Sequence, residues 1–187
     1  TILVVVFKLS PAWDSRAPCS PRGVKYMIRN LSSEDMHTIY AVINEAARAY
    51  RGIIPDDCYH EPYMPKEELY REMKSMTFVG WDERGRIVAV MGFQPAKDVT
   101  LIRHAYVLPA YQRKGIGTKL LEYLKQLTST NRLLVGTWAD ASWAIDFYQE
   151  RGFKLMPDKN ELLLRYWDIP RRQVETSLVL GMEMQQF

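Results

Sequence analysis

The sequence predicts an α/β (α+β) domain in which a mostly antiparallel sheet is flanked by about four helices. Three observations predict it. Apolar residues recur at helical spacing in four windows, three strand-like runs follow one another across short turns, and a further apolar strand separates the last two helices. The 187 residues are 47% hydrophobic and 25% charged, which suits one core and argues against general disorder.

The elements follow in order. A short apolar segment, Tyr26 to Ile28, precedes Ser32-x-x-Asp35, a capping-box pattern that opens a helix. Met36, Ile39, Tyr40, Ile43, Ala47 and Tyr50 give that helix one apolar face, and it is expected to end near Gly52. A proline-containing loop from Ile53 to Met64 leads to Pro65, which suits the first turn of a second helix bearing Leu69, Met73 and Met76. Thr77 to Trp81 and Arg86 to Gln94 read as strands joined by Asp82-Glu83-Arg84-Gly85, and Val99 to Val107 as a third. Ile116, Leu120, Leu121, Leu124 and Leu127 mark a helix, Arg132 to Trp138 a buried strand, and Ala141 to Arg151 a helix stopped by Gly152. Two closing strands are expected, Leu162 to Trp167 and Val174 to Leu180. Residues 1–23 read as an extension or linker, and 24–187 as the domain.

Composition excludes several classes. The net charge of +3 includes +2 within the first 23 residues, so the remainder lacks the basic stripe of a nucleic-acid binder; Arg171 and Arg172 alone do not supply it. The apolar run Thr1 to Phe7 is too short to cross a bilayer and lacks the basic region that precedes a secretory signal. Cys19 and Cys58 form no disulfide framework and no C-x-x-C pair. A cytoplasmic location with no membrane partner is therefore expected. The cluster Asp56, Asp57, Cys58, His60 and Glu61 lacks metal-ligand spacing, so no metal is expected.

The chemistry concentrates in Val107-Leu108-Pro109-Ala110-Tyr111-Gln112-Arg113-Lys114-Gly115-Ile116-Gly117-Thr118, where a strand enters a glycine-containing turn and then a helix. Gly115 and Gly117 let the backbone approach a ligand. Unpaired N–H groups of the first helical turn, the positive end of the helix dipole, Arg113 and Lys114 then favour an anion such as pyrophosphate. A Gly-x-Gly of this kind also serves plain strand-to-helix connections. It matches neither the Walker pattern nor the three-glycine dinucleotide fingerprint.

A second motif follows one strand and one helix later, in Ala144-Ile145-Asp146-Phe147-Tyr148-Gln149-Glu150-Arg151-Gly152-Phe153. Taken together with Gln112-x-x-Gly115-x-Gly117, it resembles the GNAT superfamily of N-acetyltransferases, and the element order agrees from about Tyr26 to Leu180. The resemblance implies a central mixed sheet whose fourth and fifth strands splay to admit the pantetheine arm of acetyl-CoA. It implies that Gln112, Arg113, Lys114, Gly115, Ile116, Gly117 and Thr118 hold the pyrophosphate, and that backbone near Tyr106 and Val107, on a strand that usually carries a bulge, meets the pantetheine and acetyl carbonyl. Tyr148 matches the tyrosine that in many members protonates the departing thiolate, a role open to a phenol that stays protonated at neutral pH. Family members often carry Asn where this chain has Ala141, leaving Ser142 as the substitute contact.

An alkyl amine with a pKa near about 10.4 is only roughly one part in 2,500 neutral at pH 7, so a base or water chain must remove a proton. The glutamate that does so in histone-modifying relatives is replaced here by Leu101. His104 is the candidate base, with a buried core histidine as the alternative. Strand alternation places Arg103 and His104 on opposite faces unless a bulge intervenes. Arg103 is a candidate to meet an anionic group of the acceptor or a structural acid. Tyr50 and Trp138, with Tyr59, His60 and Tyr63, are candidates for acceptor recognition.

The expected activity is transfer of acetyl from acetyl-CoA to a primary amine in a ternary complex. Neither cysteine lies in a motif for a covalent intermediate. The alternative is a catalytically inactive acyl-CoA-binding sensor or partner module. The resemblance also implies pairing of the carboxyl-terminal strands in a homodimer.

Overall fold

The computed structural model describes residues 26–184, so the expected extension at 1–23 lies outside the described residues. Seven strands form one sheet in the order β1-β2-β3-β4-β5-β7-β6. β1 (Tyr26–Leu31), β2 (Thr77–Glu83), β3 (Arg86–Ala96) and β4 (Val99–Val107) form an antiparallel meander. β5 (Arg132–Trp138) runs parallel to β4, and β7 (Ser177–Glu183) pairs antiparallel with β5 and with the two-residue edge strand β6 (Lys154–Leu155). Tight hairpins need left-handed backbone at their tips, here Arg84 and Gly85 at φ 58° and 81°, a conformation that glycine adopts without steric cost.

Among the described residues six helices accompany the sheet: α1 (Met36–Ala47), α2 (Lys66–Glu72), α3 (Ile116–Leu127), α4 (Ser142–Gln149), α5 (Lys159–Tyr166) and α6 (Arg171–Glu175). The Ser32/Asp35 capping box forms, with Ser32 N–H donating to Asp35 Oδ2 at 2.9 Å. α1 buries Ile39, Val42, Ile43, Ala46 and Ala47, its 3.6-residue stripe facing β3 and β4. α3 is the crossover that parallel pairing of β4 and β5 requires, and it buries Ile116, Gly117, Leu120, Leu121 and Leu124.

Two elements differ from expectation. Residues 162–167 were expected as a strand, yet Leu162 to Tyr166 lie within helix α5 and Trp167 caps it. Leu162, Leu163 and Trp167 pack inward while Leu164 is 71% exposed. A run of three leucines is too short for periodicity to separate helix from strand. Val174 belongs to α6 rather than to the last strand, which begins at Ser177. These two helices explain why six are found where four were expected. They cover a second, smaller apolar cluster containing Val99, Leu101, Leu134, Leu162, Leu163, Trp167 and Val179. Leu101, where the resemblance would place a glutamate, is therefore committed to packing.

Candidate active site

β4 and β5 are paired only at Thr100↔Leu133, Leu101↔Leu134 and Ile102↔Val135. Both strands continue beyond those pairs, to Val107 and Trp138, without bonding to each other. Their backbones diverge and form a cleft in the middle of the sheet.

At the Val107 end of this cleft stands the glycine turn. Leu108 N–H donates to Val88 O at 2.9 Å, and Tyr111 N–H to Leu108 O at 2.8 Å, fixing the exit from β4. Gln112 does not project outward: its Nε2 donates to Val107 O at 3.0 Å, tying the turn back to the strand. Arg113 and Gly115 take positive φ, 63° and 75°, and nothing lies within 4 Å of where a Cβ on Gly115 would sit. The path thus turns sharply and opens onto the first turn of α3, whose N–H groups have no intrahelical acceptor. Arg113, Lys114 and Gly115 are exposed, whereas Ile116 and Gly117 are buried. The Thr118 Oγ1 accepts from Arg151 Nε at 2.9 Å.

That bond joins the two motifs in space. Arg151 Nη1 also donates to Phe147 O at 2.5 Å, and its guanidinium lies 3.8 Å from the Phe147 ring centroid. α4 is thereby fastened to the start of α3. On α4, Tyr148 is fully buried, edge-on to Phe147 and Phe153 with centroids 5.1 Å away in both cases. Its hydroxyl has no hydrogen-bond partner. Burial pushes this phenol well above the ordinary tyrosine range, opposed by Arg151, so it stays protonated at neutral pH. Ser142 is exposed at the first position of α4, behind the buried Ala141.

The middle of β4 departs from regular strand geometry. Val90 pairs with Tyr106 and Gly92 with Arg103, so His104 and Ala105 together face Met91, a β-bulge. His104 sits there at φ 52°, which reverses side-chain alternation. Arg103 and His104 were expected on opposite faces; instead both reach the carboxylate of Glu72, the last residue of α2. Arg103 Nη2 donates to Glu72 Oε1 at 2.7 Å and Nη1 to Gln94 Oε1 at 3.2 Å. His104 Nε2 is bonded to Glu72 Oε2. The imidazole is fully buried and stacks on Phe78 with centroids 5.6 Å apart. Phe78 also lines a groove of about 220 Å³ with Met36, Tyr70, Met73 and Met76.

Burial raises the Glu72 pKa, but attraction to His104 and Arg103 outweighs it and holds the carboxyl down at about 2. For His104, burial lowers the pKa and Glu72 only partly restores it. Both directions favour a neutral imidazole beside an ionised carboxylate, with the Arg103 guanidinium as its counter-ion.

Opposite the bulge, Trp138 at the end of β5 is 1% exposed, and its Nε1 donates to Tyr63 Oη at 2.9 Å. This bond docks the 53–64 loop onto the cleft. Tyr50 is fully buried, its ring centroid 5.3 Å from Tyr63 and 6.1 Å from Trp143. Tyr106 is 1% exposed, and burial raises the pKa values of Tyr50, Tyr63 and Tyr106 alike. The cleft wall is thus apolar and phenolic. Glu72 and Arg151 escaped sequence reasoning because each acts on a distant element. Two adjacent polar residues, Arg103 and His104, inside an otherwise apolar strand signal that an acid is needed, without saying which.

Known proteins share this fold. The profile described as Acetyltransferase (GNAT) family matches residues 37–153, more than half of the chain. No curated protein matches significantly. Among solved structures, the PaiA N-acetyltransferase of Thermoplasma acidophilum in complex with coenzyme A is 20% identical with a TM-score of 0.67, covering 85% of this chain and 99% of its own. The ribosomal-protein-S18-alanine N-acetyltransferase of Escherichia coli is 18% identical with a TM-score of 0.65, covering 87% and 96%. A GNAT acetyltransferase of Brucella melitensis in complex with acetyl-CoA is 25% identical with a TM-score of 0.54, covering 70% and 83%. With the cleft, the glycine turn and the Phe-Tyr helix all carried on one sheet, the chain belongs to the GNAT family of acetyltransferases.

Proposed function

We propose that the protein transfers the acetyl group of acetyl-CoA to a primary amine, of a small molecule or a protein, by direct attack in a ternary complex. The observation that carries this reading is the divergence of β4 and β5 beyond Ile102 and Val135, with an anion-binding turn at one end and a buried, unpartnered phenol beside it. Neighbours crystallised with coenzyme A or acetyl-CoA support the same donor. The donor supplies a thioester whose carbonyl carbon accepts the amine nitrogen as the C–S bond breaks.

The chain's residues divide the remaining work. The backbone from Gln112 to Thr118, with Arg113 and Lys114, would hold the pyrophosphate, and Gln112 itself keeps the turn attached to Val107. Backbone near Tyr106 and Val107, on the side of β4 turned away from β3, would meet the pantetheine and the thioester oxygen, where a fixed donor outperforms water as charge develops. Ser142 would add a contact from α4. Tyr148 would return a proton to the thiolate. His104, neutral and buried, would receive the amine proton through water. Arg103 is assigned to Glu72, its structural acid, and Tyr50 and Trp138 to the wall facing the acceptor.

The test is release of CoA thiol from acetyl-CoA across a panel of small amines and amino-terminal peptides. The reading predicts amine-dependent release with one N-acetyl product per thiol. Acetyl-CoA binding without release for every amine would instead make the chain an acyl-CoA-binding module.

A further inference from the structure

We infer that Glu72 is a positioning residue for acetyl transfer: reaching the β4 bulge from α2, its carboxylate fixes His104 with the proton on Nε2 and leaves Nδ1 as the lone-pair acceptor. The inference rests on the acetyl-transfer reading above and adds to it a residue from an element that neither sequence motif includes.

An ionised carboxylate dictates where its neighbours keep their protons. Arg103 stays charged under all ordinary conditions, and its Nη2 lies 2.7 Å from Glu72 Oε1. Glu72 beside it is ionised and therefore accepts hydrogen bonds only. The partner of Oε2 is His104 Nε2, so this nitrogen must carry the proton. A neutral imidazole has one proton to place. Nδ1 is consequently bare, and in the structure it is buried with no hydrogen-bond partner.

The groups facing His104 leave Glu72 as the one orienting acid among the described residues: Arg103 comes from its own strand, Phe78 from β2 is uncharged, and the Tyr106 phenol lies further along β4. Glu72 also bears on the backbone. A non-glycine residue in the left-handed region persists only where its surroundings over-determine it. The two bonds from Glu72 to consecutive side chains do this for His104 at φ 52°. Loss of the carboxylate therefore changes both the tautomer and the direction of the ring.

Glu72→Gln separates these effects from simple destabilisation. A carboxamide can accept from Arg103 through its carbonyl, but its NH2 then faces His104 and demands an acceptor there, which pulls the proton over to Nδ1. Nitrogen-15 NMR of the imidazole is predicted to show a pyridine-type Nδ1 in the native protein and a pyridine-type Nε2 in Glu72→Gln. Single-turnover acetyl transfer is predicted to fall about 100-fold, the scale of a lost general base, with acetyl-CoA affinity within about twofold of native. A purely structural role would lower the melting temperature and leave tautomer and rate unmoved. A native spectrum with the proton on Nδ1, or a Glu72→Gln protein at native rate, overturns the inference. The native spectrum needs no variant, so the assignment can be refuted even where Glu72→Gln does not fold. Native protein that releases no thiol with any amine refutes the acetyl-transfer reading instead, and the spectrum still reports the tautomer.

Discussion

The two ends of the β4 cleft are built from different materials. At the Val107 end, the turn from Gln112 to Thr118 presents backbone N–H groups, glycine conformations and exposed cations contributed by consecutive residues. At the bulge, Glu72, Arg103 and Gln94, half-buried side chains from α2, β4 and β3, meet around the buried His104. A site made of backbone tolerates exchange of side chains but not of glycines. A site made of side chains has the opposite sensitivity, and its energy lies in desolvated charge.

The largest effect is expected where charge is buried. Glu72→Ala would leave the Arg103 guanidinium, 14% exposed, without its carboxylate, and should cost about 3–5 kcal/mol in denaturant melts. The difference from native should depend on pH. The Glu72 pKa is lowered by folding to about 2, so its stabilisation is present above the unfolded carboxyl value of about 4.3 and is lost as pH falls through the folded value. Native and variant curves that stay equally separated from pH 5 to pH 2 would break the contrast drawn between the two ends.

An intermediate effect is expected at Tyr148. Replacing it with Phe removes a proton donor and should slow single-turnover chemistry by about 100-fold. Stability should change little, because a buried hydroxyl without a partner contributes no net hydrogen bond. An unchanged rate would remove Tyr148 from the chemistry while leaving the fold account intact. The smallest effect belongs to Gln112→Ala, which loses one side-chain bond to Val107 O worth about 1 kcal/mol. It should weaken acetyl-CoA binding about fivefold by titration calorimetry. A far larger loss would mean that the Gln112 side chain touches the ligand.

The same contrast explains what was legible beforehand. β4 and β5 were readable to the residue, since Val99–Val107 and Arg132–Trp138 are apolar runs with clear boundaries. The glycine turn was readable as a turn because its geometry is local: positive φ at Gly115 and the α3 start are written in adjacent residues. α5 was misread because Leu162 to Leu164 form a run compatible with either period, and only the layer beneath, Val99, Leu101 and Leu134, decides it. The parity of His104 depended on a bulge that no residue type announces. Its partner lies 32 positions away, a pairing set by how α2 returns across the sheet.

The central claim, that this chain's glycine turn binds the pyrophosphate of acetyl-CoA, is tested most directly by calorimetric titration of CoA-stripped protein with acetyl-CoA, with Gly117→Glu as control. Micromolar binding is predicted for the native chain. A carboxylate in the first turn of α3 should weaken it at least about 100-fold, roughly 2.7 kcal/mol. Folded native protein that binds no acetyl-CoA, or a Gly117→Glu protein that binds it equally well, would contradict the account.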